Sequence, residues 1–305
     1  MSTATAASVG TAKPAAVGPK RQLRGRGARV VLWALPPIVV VAGFVLYPLI
    51  EVVRQSFVDD NGHSAGISVW KSVYRSEQFR RAIVRTIELS AGATAGCIVI
   101  GTFLAIVLVF VPFPGAHSIS RLVDIVLAFP SFLIALSFTF LYGSTGMLNS
   151  LLMHLTGAKT PPVNFIYSPW GVLLAEITFY TPFVMRPLVA AFSRIPREQL
   201  DVAASLGARP GRVIRQILLP EAMPAIAAGG SLTLLMTLNE FGIVLFIGAK
   251  NVVTMPLLVY TKSIVTFQYS EAAVVATTEV VLSLALYAAY RFAFSRAGGN
   301  RARVV

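Results

Sequence analysis

Six long, apolar, nearly uncharged runs govern what this chain can become. A helix needs about 20 apolar residues to cross a hydrocarbon layer about 30 Å thick. Runs near Val30–Ile50, Leu89–Val111, Ile125–Tyr142, Pro169–Ala191, Ala222–Gly248 and Ala272–Phe294 have roughly that length. Inside lipid the backbone must satisfy its own hydrogen bonds, so runs of this kind become helices. With 55% hydrophobic and 13% charged residues, the chain is an all-α polytopic membrane protein. The expected organisation is one six-span domain over residues 30–294, between a disordered basic tail (1–29) and a second tail (295–305). The third run has room to extend, because no Asp, Glu, Lys or Arg occurs between Asp124 and Lys159.

A net charge of +13 invites a nucleic-acid reading, but the distribution of the bases excludes it. The tail through Arg29 holds six basic residues and no acid, and four arginines lie from Arg291 onward. Arg186, Arg194, Arg197, Arg209, Arg212 and Arg215 surround the loop between runs four and five. With six spans these regions share one side. The segments 143–168 and 249–271 on the other side carry only Lys159, Lys250 and Lys262. That asymmetry places both termini in the cytoplasm. The loop before run two departs from it, with Arg54, Lys71, Arg75, Arg80, Arg81 and Arg85, alongside the acids Glu51, Asp59, Asp60, Glu77 and Glu88. Pro36 and Pro37 are expected near the first turn of the first span, which is too long for a typical signal-peptide core and is expected to remain. Cys97 is the sole cysteine, so no intramolecular disulfide forms.

The loop between runs four and five, REQLDVAASLGARPGRVIRQILLP over 197–220, carries an ordered pattern. Ser193 and Pro196 suit a helix start. Leu200, Ala203, Ala204 and Gly207 fall at i, i+3, i+4 and i+7, making a narrow face of mostly small residues that a partner can approach closely. Gly207 suits a helix end, because glycine reaches left-handed torsions without steric cost. A basic segment with Arg209, Arg212 and Arg215 leads to Ile217, Leu219 and Pro220. The spacing from Gly207 to Pro220 resembles the cytoplasmic signature loop of ABC importer permeases, E-A-A-x3-G-x9-I-x-L-P, with Asp201 for its Glu and Val202 for its first Ala. In that family the loop docks in a cleft of the ATP-hydrolysing subunit and transmits its movement to the membrane helices. The resemblance implies that Glu198, Asp201, Ala203, Ala204, Gly207, Ile217, Leu219 and Pro220 form an ATPase-coupling loop.

Other segments agree with it. Trp70, Tyr74, Phe79 and Ile83 interleave with Arg75, Arg80, Arg81 and Arg85, the pattern of an amphipathic helix lying at the interface before the second span. The sequence FRRAIVRTIELS (79–90) resembles the family's entry to its core. The second span is rich in Gly, Ala and Thr, as an interior membrane helix requires. Gly143, Gly146 and Asn149 supply turn chemistry ahead of a short helix over Met147–Leu155.

Three acids interrupt apolar sequence: Glu176, Glu240 and Glu279. A charge at mid-bilayer costs about 3 kcal/mol, so such groups face an interior, an aqueous path or another chain. Glu240 lies in LNEFGIVLFIGA, resembling the fifth span of importer permeases for oxyanions, metals and organophosphonates. Asn239, Glu240 and Gly242 are candidates for the translocation path or for contact with a second permease, with a helix-packing hydrogen bond as the plain alternative. Glu176 and Glu279 read as interfacial or packing acids. An ion-coupled carrier is the rival from another class, but no histidine lies within an apolar run and no internal duplication is evident. No HExxH or P-loop pattern occurs, which argues against an enzyme, and no metal site is expected.

The resemblance therefore implies a type I ABC importer permease of MetI-like fold, non-catalytic and binding no cofactor itself. ATP and Mg would sit on a separate ATPase subunit. The implied partners are that ATPase, a second permease (sister or identical), an extracytoplasmic binding protein and the inner-membrane bilayer, with no nucleic acid. NEFG in the fifth span, IGAKNVVTMPLLVYTK and FQYSEAAVVA resemble permeases for 2-aminoethylphosphonate; those for sulfate or molybdate, ferric iron and polyamines are near relatives.

Overall fold

The computed structural model describes residues 24–59, 62–250 and 252–299. The expectation of a disordered tail lies outside these residues for 1–23, and the last six positions lie outside them too. Two units divide the chain, Met1–Glu51 and Val52–Val305. Among the described residues, six helices are long and apolar enough to cross a membrane: Trp33–Gln55, Glu77–Phe110, Ser131–Thr156, Pro169–Phe192, Pro210–Leu238 and Tyr269–Arg296.

In the first unit α1 covers Arg24–Val41 and a π-turn covers Ala42–Leu46, leading into α2, Tyr47–Gln55. The span itself runs from Trp33, so Pro36 and Pro37 lie near its first turn as expected, within the longer helix α1. The π-turn ends on a Tyr47 N–H bond to the Ala42 carbonyl, directly before Pro48. A proline has no N–H to donate and crowds the carbonyl four residues back, and the wider turn takes up that misfit.

The second unit is built around three helices: α4 (Glu77–Phe110), α8 (Pro169–Phe192) and α11 (Leu219–Leu238). Short helices fill the chain between them: α3 (Ser68–Arg75) precedes α4, and α5 (Ala116–Leu127), α6 (Ser131–Tyr142) and α7 (Met147–Thr156) separate α4 from α8. Glycines let the three large helices meet backbone to backbone. A Cβ on Gly101 would stand 3.1 Å from Val184 Cβ and 3.2 Å from the Met185 nitrogen. One on Gly229 would stand 3.0 Å from Val184 Cα, so α8 is gripped at Val184 from both sides. Lipid offers no hydrophobic drive between helices, and close packing of this kind replaces it. The second span buries a face of small residues, with Ala93, Cys97 and Ala105 fully buried, while Val99 and Phe103 are exposed.

Pro130 parts α5 from α6, so the third run does not begin at Ile125 as the sequence suggests. The residue before a proline is disfavoured in the helical region, which stops α5 at Leu127. Beyond α6 the expected Gly143–Gly146 turn and short helix α7 are present. Asn149, fully buried, holds this corner: its Nδ2 donates to the carbonyls of Gly143 (2.8 Å) and Val163 (2.7 Å), and its Oδ1 accepts the Val163 N–H (2.9 Å).

The amphipathic stretch also differs from expectation. Ser76 breaks it, with α3 before and α4 after. Its rings stack in series, Phe57 on Trp70 (5.7 Å), Trp70 on Tyr74 (5.9 Å) and Tyr74 on Phe79 (4.9 Å). Val73, Phe79 and Ala82 are buried with Met255, Leu258, Val274 and Val275. Part of this face, Phe79 above all, is thus covered by the protein itself, while Tyr74 is 47% exposed.

Candidate coupling loop and buried carboxylate site

The predicted loop forms a helix–turn–helix. Helix α9 runs Arg197–Ser205 with Pro196 at its N-cap. Ser193 takes no part in that start. It closes α8, and its Oγ donates back to the Val189 carbonyl at 2.7 Å, a bond available to a serine in the last helical turn. Ile195, 8% exposed, pins the corner to the core. Glu198 stands in the first turn of α9, where a negative charge complements the helix dipole.

The far end of α9 explains the spacing of Ala203, Ala204 and Gly207. The Gly207 N–H bonds to the Ala204 carbonyl (2.9 Å), and the Ala208 N–H to the Ala203 carbonyl (3.0 Å). These crossed bonds make a Schellman cap, which demands a left-handed residue at its centre. Gly207 has φ +77°. Pro210 then opens α10 (Pro210–Val213), and a π-turn over Ile214–Leu218 delivers the chain into α11. The Leu219 N–H reaches the Ile214 carbonyl directly before Pro220, repeating the device seen at Pro48. Ile217 lies in this π-turn, and Leu219 and Pro220 begin α11.

The outward surface of α9 includes part of the face the periodicity suggested, together with apolar residues outside it. Leu200, Val213, Ile214 and Leu219 are each partly buried against the core. Asp201, Ala204 and Gly207 are exposed and Ala203 half-buried. The apolar residues turned outward are Val202 and Leu206, at 59% and 81% exposure. Their i, i+4 spacing was the available signal.

The second site lies within the membrane spans. The fifth span does not run to Gly248: α11 ends at Leu238, and a separate helix α12 covers Gly242–Ile247. Glu240, 5% exposed, sits in the break. Its Oε1 accepts the Ile243 N–H (2.7 Å) and the Ser131 hydroxyl (3.2 Å), and its Oε2 accepts the Tyr180 hydroxyl. One carboxyl thus ties α6, α8 and the start of α12. A Cβ on Gly242 would come 2.9 Å from Ser131 Oγ, so glycine there admits α6. Asn239 is exposed and donates to its own Leu235 carbonyl at 2.8 Å. Glu176, one turn before Tyr180, is 1% exposed, which agrees with the packing alternative read from the sequence. Ser131 and Tyr180 were not legible as site residues, because their pairing with Glu240 is tertiary.

After α12 the chain forms α13 (Met255–Tyr260), a third π-turn (Thr261–Val265) and α14 (Tyr269–Gly299). Lys262 pairs with Glu271 at 2.7 Å across this hairpin. Among the described residues no cluster of three or more His, Cys, Asp or Glu could hold a metal ion.

The family described as "Binding-protein-dependent transport system inner membrane component" matches residues 97–297. A Salmonella typhimurium protein named "Putative 2-aminoethylphosphonate transport system permease protein PhnU" is 49% identical over 270 residues, 88% of this chain and 94% of that protein. The spermidine/putrescine transport system permease protein PotC of Haemophilus influenzae is 26% identical, covering 81% of this chain and 90% of its own length. Among solved structures, a bacterial ABC transporter that imports the acidic polysaccharide alginate matches with a TM-score of 0.77 at 19% identity, over 89% of this chain and 96% of that one. The fold is thus that of an ABC importer permease. This chain belongs to the family of binding-protein-dependent transport system inner membrane components.

Proposed function

We propose that this permease carries 2-aminoethylphosphonate across the inner membrane, powered by separate ATPase subunits that engage the 197–220 loop. The observation that carries the coupling reading is α9 itself, a short helix closed by Gly207 that offers Val202 and Leu206 to a partner. A lever must be stiff to transmit force, and two crossed end bonds with a buried foot at Ile195 supply that stiffness. The substrate reading is supported by the name of a relative that shares about half its residues with this chain over nearly its whole length.

In this reading a binding protein delivers substrate from outside. Two permeases, sister or identical, form the path. ATP and Mg bind only the ATPases, and both termini face the cytoplasm, as the distribution of basic residues supports. The permease does no chemistry on its cargo. Its work is a change between inward- and outward-open states, biased by differential contacts at α9. Asn239, Glu240 and Gly242 mark the candidate path or permease contact, with Glu240 braced by Ser131 and Tyr180.

The test is uptake of radiolabelled 2-aminoethylphosphonate by proteoliposomes holding the reconstituted complex. Uptake is expected to require ATP and the binding protein, and to be competed by unlabelled 2-aminoethylphosphonate but not by sulfate or putrescine. Competition by sulfate would overturn the substrate. Uptake driven by an ion gradient without ATPase would overturn the mechanism.

A further inference from the structure

Helices α11 and α14 touch where the Tyr290 hydroxyl donates to the Ile226 carbonyl (3.3 Å). Toward the end that bears the 197–220 loop they leave a groove of about 670 Å3 between them. Its walls are Met223, Pro224 and Ala227 on α11, and Ala288, Phe292 and Phe294 on α14. Arg291 and Ser295 complete the lining. The interior is apolar and the one charged group is a cation. Beside it Arg296 lies over the Phe292 ring, 4.0 Å from its centroid, so a second guanidinium flanks the same wall. The acid nearest along α11, Glu221, is not part of the lining.

We propose that this groove is a binding site for an anionic phospholipid, with an acyl chain along the α11–α14 cleft and the phosphate on Arg291 and Arg296. Depth agrees with chemistry. The 22 helical steps from Tyr269 to Arg291 span about 33 Å, and the hydrocarbon layer is about 30 Å thick. If Tyr269 lies at one interface, Arg291 stands at the headgroup level of the other. An apolar cleft below a cationic rim suits a lipid anion better than a peptide helix, which would leave the two guanidiniums without counter-charge. It suits a free phosphate poorly, because apart from Arg291 and Ser295 the lining is apolar. Long arginine side chains also extend readily along apolar surface toward the interface. Pro224 lies one turn beyond Pro220, so lipid occupancy bears directly on the joint between loop and span. The inference rests on the groove alone and is independent of the substrate.

The test is native mass spectrometry of the detergent-purified complex titrated with phosphatidylglycerol and, separately, phosphatidylcholine. The wild-type complex is expected to retain phosphatidylglycerol preferentially. Arg291→Gln is expected to weaken retention about fivefold, and the double change with Arg296→Gln about thirtyfold. Ala288→Trp, which fills the groove and keeps both charges, is expected to displace the lipid. Arg75→Gln, at a site remote in sequence with the same change in charge, is expected to leave retention unaltered. Equal retention of both lipids, or equal loss in the Arg75 variant, would overturn the proposal. So would efficient disulfide crosslinking of an Ala288→Cys variant to another chain of the complex, since the groove would then be a protein interface.

Discussion

Replacing Gly207 isolates backbone geometry from packing. A Cβ at this position meets nothing within 4 Å, so a new side chain clashes with no neighbour and the α4–α8–α11 core is untouched. What changes is the cost of holding φ at +77°. For an L-residue the left-handed conformation costs about 1–2 kcal/mol. At about 1.4 kcal/mol per factor of ten, that lowers the population of the capped α9 about fivefold to thirtyfold when the cap is marginal. Asparagine tolerates the region best after glycine, alanine less well, and a β-branched residue is a true outlier there. Coupling should therefore fall in the order Gly, Asn, Ala, Val. The assay is ATPase activity of the reconstituted complex with substrate-loaded binding protein, alongside uptake per ATP hydrolysed. Yield and thermal midpoint should stay near wild type throughout. A valine variant as tightly coupled as wild type would refute the argument, as would an asparagine variant no better than valine.

Two further outcomes follow from the core. Tyr180→Phe removes a hydroxyl from the buried Glu240 carboxyl and should lower stability by about 1.5–3 kcal/mol, seen as a reduced thermal midpoint in detergent; an unchanged midpoint would mean the carboxyl needs no such donor. Gly101→Val drives a side chain into the Val184–Met185 backbone of α8 and should sharply reduce folded yield by size-exclusion chromatography, whereas Gly211→Ala, with nothing within 4 Å, should leave yield unchanged.

Much of this was legible in the sequence, because membrane folding makes strong local demands. Apolar length gave six spans, small residues marked a buried face on α4, and the spacing of Ala203, Ala204 and Gly207 anticipated a helix end at the glycine. The misses have a common cause. The fifth run looks continuous to Gly248, yet it breaks because Glu240 turns its carboxyl onto the Ile243 N–H and is held there by Tyr180, 60 positions away, and Ser131, 109 away. No window on the local sequence contains those partners. The aromatic series from Trp70 to Phe79 shows the same limit: periodicity identifies an apolar face without naming what covers it, here Met255, Leu258, Val274 and Val275 over Phe79. At α9, small residues marked a face of which Ala204 and Gly207 are exposed, but Leu200 packs against the core, and the exposed Val202 and Leu206 lie outside that pattern.

Asn149 has a consequence for how this protein can diverge. Its amide fixes the returning chain at Val163, while Gly157, with φ +71°, independently fixes the exit from α7. The few residues between these anchors, 158–162, are mechanically insulated from both neighbouring spans. Insertions or deletions there should reshape the surface at that corner while the helices beneath keep their registry, giving selection a place to alter length without rebuilding the bundle.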